Sequence, residues 1–286
     1  MKLVSVIIPF YSKESGLLVK SVSSVLNQTY ENIEVIVVDD CSPCNAEMEL
    51  SAIEDPRLKI IKHLVNKNGA IARNTGVNSA CGDVIAFLDF DDEWYPEKLQ
   101  LQVDKLEEKG DDYVIYSTCR IIEPSGRTFI RPRREILAEE KVGDYLFSAC
   151  EIIQTSGILL SKKLAAKVKF DDLKRHQDYQ YCLSLENVGA KFSLLENCVY
   201  DFIQIPKKND YIFSLSWLNK YKCFLSEQAQ QGFKKLVVLR SVIENGNYIE
   251  ALGFSYRNRM MTYLISVFCI KFAKLVLPNK LLRKFK

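Results

Sequence analysis

Three carboxylates occupy four consecutive positions at Asp89-Phe90-Asp91-Asp92, directly after the apolar run Val84-Ile85-Ala86-Phe87-Leu88. Such a run reads as a buried strand, so the acids crowd its exit. Two unit charges about 4 Å apart repel by about 4 kcal/mol at an effective dielectric near 20. A divalent cation held by hard oxygen ligands would offset that repulsion. The plainer reading is a solvated turn capping a helix that starts at Pro96, a role that suits Asp92 and Glu93, since acids favour a helix N-terminus. For the cluster alone the two readings stand level. A second acidic pair, Asp39-Asp40, closes the apolar run from Ile33 to Val38.

These acids sit in an alternating series of elements. Val4 to Ile8, Ile33 to Val38, Lys59 to Lys62, Val84 to Leu88 and Tyr113 to Ser117 read as strands. Between them lie helical patterns: Leu17, Leu18, Val22, Val25 and Leu26 on one face, then Ala46 to Ile53, then Ala70 to Ala80, then a helix opened by Pro96 and ended by Gly110. The alternation predicts an α/β fold with a mostly parallel, doubly wound sheet. Ligands of such sheets bind outside the carboxyl ends of the strands, where strand order reverses. Asp39, Asp40, Asp89 and Asp91 would then face one crevice. An acidic crevice takes a phosphate only if a divalent metal bridges the two. No Gly-rich phosphate loop follows the first strand, where Pro9-Phe10-Tyr11-Ser12-Lys13 stands instead.

Beyond residue 120 the pattern loosens. Glu123-Pro124-Ser125-Gly126 reads as a hairpin turn, and Arg131-Pro132-Arg133-Arg134 as a basic loop that either steers an anionic acceptor or is merely solvated. Short strands are expected at Ile158 to Leu160, Ser193 to Leu195 and Cys198 to Phe202, with helices near Leu164 to Val168 and Asp178 to Leu185. After Asp210 the chain reads as helical: Ser216 to Gln230, Phe233 to Ile243, and from about Tyr256 onward. The expected division is 1–205, itself in two halves at about 1–120 and 121–205, and a helical C-terminal region at 206–286.

The chain has 286 residues, 48% hydrophobic and 26% charged, with a formal charge of +3. That charge is too small to argue for nucleic acid, but its distribution is uneven. No acid follows Glu250, while Arg257, Arg259, Lys271, Lys274, Lys280, Arg283, Lys284 and Lys286 do. The apolar stretch Met260 to Ile270 falls short of the roughly 20 residues a spanning helix needs. It fits either an interfacial amphipathic helix or a helix packed on the main domain with a solvated basic face. Nine cysteines are present without a secretory leader, so they are read as reduced, cytoplasmic and mostly buried. Cys41-Ser42-Pro43-Cys44 has redox spacing, but His63 and His176 are the only histidines, and no second ligand pair exists for zinc.

Taken together, Val4-Ser5-Val6-Ile7-Ile8-Pro9-Phe10-Tyr11, Ser24-Val25-Leu26-Asn27-Gln28-Thr29-Tyr30, Val37-Val38-Asp39-Asp40, Ala72-Arg73-Asn74-Thr75-Gly76 and Phe87 to Trp94 resemble family 2 glycosyltransferases with the GT-A fold. The resemblance covers roughly residues 1–205 in order and spacing. It implies that Asp40 accepts the imide N–H of the nucleotide base, usually uracil, and that Pro9 and Tyr11 border the base pocket. Asp89-Phe90-Asp91 matches the family's D-x-D, with Asp89 near the ribose and Asp91, helped by Asp89, binding Mg or Mn on the diphosphate. Arg73 is implied near the nucleotide, or else holds its helix by a salt bridge. Arg175-His176-Gln177-Asp178-Tyr179 matches the family's E-D motif, which implies Asp178 as general base; an N-cap role also suits its position.

Several residues depart from the family pattern. Gln177 stands where the first acid of the E-D pair is usual, Cys41 replaces a small Gly or Asn, and Cys44 stands where an acid is common. The Q-x-x-R-W signature of processive synthases is absent. The implied activity is inverting transfer of one sugar from a nucleotide-diphosphate sugar, UDP by resemblance, to a glycan or lipid-linked glycan. The basic tail would place the enzyme on the cytoplasmic face of a membrane. The competing readings are a sugar-phosphate nucleotidyltransferase, which should carry a Gly-rich basic loop after the first strand, and an inactive membrane-associated binding protein.

Overall fold

The computed structural model describes residues 1–205 and 210–276. The side chains of Lys271 and Lys274, and all of Lys280, Arg283, Lys284 and Lys286, lie outside what is described.

The first half alternates as the apolar runs dictate: β1 (Val4–Phe10), α1 (Leu17–Leu26), β2 (Ile33–Asp39), α2 (Ala46–Glu49), β3 (Leu58–Lys62), α3 (Asn68–Ser79) and β4 (Val84–Phe87). Then follow β5 (Glu93–Trp94), α4 (Lys98–Lys109), β6 (Tyr113–Ile122), β7 (Thr128–Arg131), α5 (Val142–Phe147), β8 (Leu159–Ser161), α6 (Lys162–Ala165), α7 (Gln177–Asn187) and β9 (Lys191–Ile203). Among the described residues the strands form one sheet in the order β3-β2-β1-β4-β8-β6-β9-β5, with β7 paired to β6. The four strands β3, β2, β1 and β4 are parallel. β8 enters antiparallel between β4 and β6, which returns β6 and β9 to the direction of β4. The sheet is therefore α/β and mostly parallel, and its order reverses beside β1.

Both faces are covered, which is why the inner strands are apolar without alternation. Val6, Ile8, Val37, Ala86, Leu88, Ile115 and Leu159 share one core with Leu18, Val22, Leu99 and Val103 of α1 and α4. On the opposite face, Phe87 meets Phe170 at 5.3 Å and Tyr181 of α7 at 5.7 Å, and Tyr116 meets Tyr145 of α5 at 6.0 Å. α3 joins that face through Gly76, where an added Cβ would collide with Ile7.

The second half holds the departures from expectation. The stretches 193–195 and 198–202 are one strand, β9, bulged against β6 on either side of Thr118. Asp92 and Glu93 do not cap a helix: Glu93-Trp94 pairs with β9, and α4 begins only at Lys98, without a side-chain cap. Glu123 to Gly126 is the turn of the β6–β7 hairpin.

A second compact unit comprises 147–150 and the described residues after 209. It contains α8 (Tyr211–Tyr221), α9 (Glu227–Phe233), a π-helical turn (Lys234–Leu239), α10 (Arg240–Glu244), α11 (Tyr248–Arg257) and α12 (Met261–Val276). The expected single helix from Ser216 to Gln230 is broken, because Ser226 N-caps a new one by accepting from the Ala229 amide at 3.0 Å. Trp217 stacks on Phe233 at 4.9 Å, and Phe147 meets Phe233 edge-on at 5.0 Å. No described helix is long and apolar enough to cross a membrane.

The cysteines are not mostly buried. Cys119 and Cys182 are, whereas Cys41, Cys81, Cys150, Cys223 and Cys269 are exposed, and all nine are free. Cys41 has φ 57°, a left-handed conformation that Gly or Asn adopts with less strain.

Candidate functional site

The sheet brings the carboxyl ends of β1, β2 and β4 to one edge, at the reversal of strand order. Pro9 sits there without disrupting the ladder. The Leu88 amide donates to Ile7 O and the Asp40 amide to Phe10 O, so alternate residues of β1 face β4 and β2. Pro9 faces the β4 side beyond the last β1–β4 pair, Ile7–Phe87. Pro9 has no N–H to carry the ladder on toward Leu88, and the pairing of β1 with β4 ends before it. Tyr11, just past β1, is 41% exposed.

Asp40 follows β2 and is buried. Its two oxygens accept from the Lys67 amide at 2.9 and 3.0 Å, and Oδ1 also accepts from His63 Nδ1 at 2.7 Å. His63 Nε2 in turn lies 2.9 Å from Thr75 Oγ1 on α3. Asp40 thus ties β2 to the turn between β3 and α3. A carboxylate offers about four acceptor directions. Three are used, and the one left, on Oδ2, is where a base N–H would have to come. Asp39 points elsewhere, accepting from the Ser42 and Ala46 amides at 2.7 and 3.2 Å. The expectation that Asp39 and Asp40 both face one crevice with the D-x-D acids is corrected to Asp40 alone, because Asp39 spends both oxygens on its own loop.

The D-x-D loop hangs on Ser156. The Asp89 amide donates to Ser156 Oγ at 3.0 Å, Ser156 Oγ donates to Asp92 Oδ2 at 2.5 Å, and the Trp94 indole donates to Ser156 O at 2.9 Å. The Ile203 amide of β9 also donates to Asp92 Oδ1 at 3.1 Å. Burial pushes the Asp92 carboxyl well up, and the charges of Asp89 and Asp91 push it further. Asp92 is therefore an anchor for the loop, and the crowding of three acids is relieved where water is scarcest. Asp89 keeps 26% of its side chain exposed and Asp91 is half-buried.

Arg73 of α3 connects this loop to the helix that carries Asp178. One terminal nitrogen pairs with Asp89 Oδ1, and the other donates to Gln177 Oε1 at 2.7 Å. Gln177 Nε2 donates to Leu173 O at 2.6 Å, which a glutamate could not do. The glutamine at this position therefore accepts from Arg73 and also secures the turn before α7. Arg73 is 6% exposed, and its Nε is buried with no partner among the described residues. Buried donors without acceptors are uncommon. Arg73 combines both expected roles, since its salt bridge is made to the site's own acid.

Asp178 is the second residue of α7 and not its N-cap; His176, with φ 60°, is the flanking residue. Burial raises the Asp178 carboxyl to about 6. The Tyr179 amide lowers it somewhat, the Asp89 charge raises it, and Arg73 lowers it again. A carboxyl held near 6 is ionised at neutral pH yet basic enough to take a proton. His176 stacks on Tyr179 at 5.4 Å, and burial lowers its ring to about 4, so it stays neutral. The arrangement thus combines a partly exposed acidic loop, a buried arginine with a spare donor, and a basic carboxylate on the neighbouring helix.

A divalent metal at this loop would need ligands from outside the protein. Among the described residues no three His, Cys, Asp or Glu side chains converge as a complete cage. Magnesium is commonly held by one or two carboxylates together with substrate phosphates and water. One oxygen of Asp89 is held by Arg73, so Asp91 and the second oxygen of Asp89 are what this loop would offer a cation. Residues that the sequence did not single out are His63 and Ser156; each bonds across more than twenty positions of chain, and neither has a local signature.

Known proteins place the chain further. A sequence profile of "Glycosyl transferase family 2" matches residues 5–168. The amylovoran biosynthesis glycosyltransferase AmsB of Erwinia amylovora is 31% identical over 246 residues, 80% of this chain and 81% of that protein. The Escherichia coli enzyme WfgD, named UDP-Glc:alpha-D-GlcNAc-diphosphoundecaprenol beta-1,3-glucosyltransferase, is 44% identical over 101 residues, 35% of this chain and 40% of its own. Among solved structures, S. aureus TarS 1-349 superposes with a TM-score of 0.61 at 19% identity, covering 89% of this chain and 80% of that one. The same protein in complex with UDP gives 0.57 at 19% identity, with the same coverage. The fold of the solved relatives agrees with the α/β sheet, and the chain belongs to glycosyl transferase family 2.

Proposed function

We propose that the protein moves one sugar, with inversion, from a UDP-sugar to a hydroxyl of a lipid-linked glycan during bacterial polysaccharide assembly. The observation that carries this reading is the bridge Asp89–Arg73–Gln177, which sets the D-x-D loop beside the first turn of the helix bearing Asp178. Asp178 takes the proton of the acceptor hydroxyl as its oxygen attacks the anomeric carbon from the face opposite the diphosphate. The bond to the diphosphate breaks as the new glycosidic bond forms, so no covalent enzyme intermediate is needed. Mg or Mn on Asp91 and Asp89 would neutralise charge on the leaving group when bound. Asp40, Pro9 and Tyr11 border the base.

UDP is favoured because a fold relative is described in complex with UDP and with UDP-GlcNAc. A lipid-linked acceptor is favoured by the name of WfgD. The test is a thermal-shift series of nucleotide sugars with Mn, Mg or chelator. A ligand that binds only the folded state raises the apparent midpoint, so UDP-sugars with metal should stabilise, and equal shifts from all nucleotides would reject the reading.

Peripheral membrane contact is part of this proposal. Ile249, Leu252 and Tyr256 on α11 are 90%, 53% and 78% exposed, and Ile265 on α12 is 57% exposed. Tyr248 and Phe268 join the two helices at 5.7 Å. Exposed apolar side chains of this size, with Arg257 and Arg259 nearby and no acid after Glu250, suit an anionic lipid surface. Ile249→Asp with Leu252→Asp should abolish cosedimentation with phosphatidylglycerol vesicles. Unchanged sedimentation would remove the membrane from the proposal.

A further inference from the structure

We propose that a cavity of about 420 Å³ on β6 and β9 is the subsite for a neutral sugar residue of the acceptor. It is lined by Thr118, Ile130, Pro132, Arg133, Arg134, Leu194 and Glu196. The assignment rests on the glycosyl-transfer reading above and specifies what the second substrate presents to that site.

The sheet locates it. Side chains alternate along a strand, and neighbours across a sheet share a face. Phe87 of β4 and Tyr116 of β6 both lie on the face covered by α3, α5 and α7, so Asp89 and Thr118, two residues further on, lie on that face too. The pairings Ala86–Leu159 and Ile115–Leu159 set the two strands level, with only β8 between them. Strands stand about 4.8 Å apart, so Thr118 is offset from Asp89 by about 10 Å across the sheet. Asp40 lies on the other side of β4, beyond β1. The order across the sheet is then base end at β2, reacting centre at β4, cavity at β6 and β9. A donor occupying the first two leaves the third for the acceptor.

The lining decides the chemistry. Arg133 Nε donates to Glu151 Oε1 at 2.7 Å, and Arg134 grips Glu140 with two bonds at 2.6 and 2.7 Å. Both cations are thereby neutralised by carboxylates, and Glu196 adds a further negative charge to the wall. Such a wall favours a neutral ligand over a phosphate, which weighs against the anion-steering reading of the basic loop. Arg131 is likewise set over Phe129, at 5.5 Å. What remains of the lining is the apolar Ile130, Pro132 and Leu194, with Thr118, which is 4% exposed, and Glu196 as its hydroxyl- and carboxylate-bearing residues. The β9 bulge places Glu196 here: Leu195 pairs with Ser117 and Cys198 with Thr118, leaving Glu196 outside the ladder. Apolar residues with a hydroxyl and a carboxylate among them make a lining that a sugar ring, with apolar C–H faces and donor hydroxyls, can satisfy.

Saturation-transfer NMR tests this with UDP, free glucose, free N-acetylglucosamine and glycerol phosphate as probes. Wild-type protein should transfer saturation to UDP and to at least one free sugar. Thr118→Val with Glu196→Gln should weaken the sugar about tenfold, the usual scale for losing a hydrogen bond to a charged group, and leave UDP unaffected. A sugar signal that survives both substitutions, no sugar signal beside a normal UDP signal, or displacement of the sugar by glycerol phosphate would overturn the subsite. Loss of UDP binding in the wild type would instead overturn the donor reading.

Discussion

Replacing Asp178 by asparagine is expected to reduce sugar transfer by about a hundredfold to ten-thousandfold while donor affinity holds, because general-base catalysis contributes on that scale. Single-turnover transfer beside donor titration separates the two effects. The pH profile adds a second signature. Only the ionised carboxylate accepts a proton, so wild-type turnover should fall as pH drops below about 6, and the variant's residual rate should lack that limb. Stability should move the other way. The folded-state value lies above the ordinary 3.8, so ionised Asp178 destabilises the fold, beginning near pH 4 and fully above about 6. Asp178→Asn should therefore melt higher than wild type at pH 8, and the gain should vanish toward pH 4. Undiminished turnover would acquit Asp178 as the base, whatever the melting data show.

The second large effect belongs to Asp91. Asp91→Ala should make donor binding indifferent to Mn or Mg, lowering affinity in the presence of metal by more than about a hundredfold, since even outer partners of metal ligands cost ten- to a hundredfold. Calorimetric titration of a UDP-sugar with metal and with chelator reads this directly. Asp92→Asn is the instructive control. Asp92 is buried and bonded to Ser156 and the Ile203 amide, so its loss should lower the melting temperature and leave the metal requirement in place. Equal metal dependence in the Asp91 variant and the wild type would remove the cation from the mechanism.

Much of the fold was legible because its signals are local. Both faces of the parallel strands are covered, so β1, β2 and β4 read as plain apolar runs, and the acids at the exits of β2 and β4 mark the carboxyl edge. Gly110 and the Glu123 to Gly126 turn end their elements where backbone chemistry says they should. What escaped is non-local. Ser156 reaches Asp92 across 64 positions, and His63 reaches Asp40 across 23. Glu93 reads as a helix cap until β9 arrives from more than a hundred residues away to pair with it. The break between α8 and α9 failed for another reason: the apolar spacing continues through it, and only Ser226 signals a restart. Arg133 and Arg134 read as free charge because their partners, Glu151 and Glu140, come from the following segment.

The twofold grip of Arg73 has a mechanical consequence. One terminal nitrogen holds Asp89 and the other holds Gln177, so the acidic loop and the first residue of the helix bearing Asp178 hang on one rigid, planar group. Neither end can be re-seated without pulling on the other.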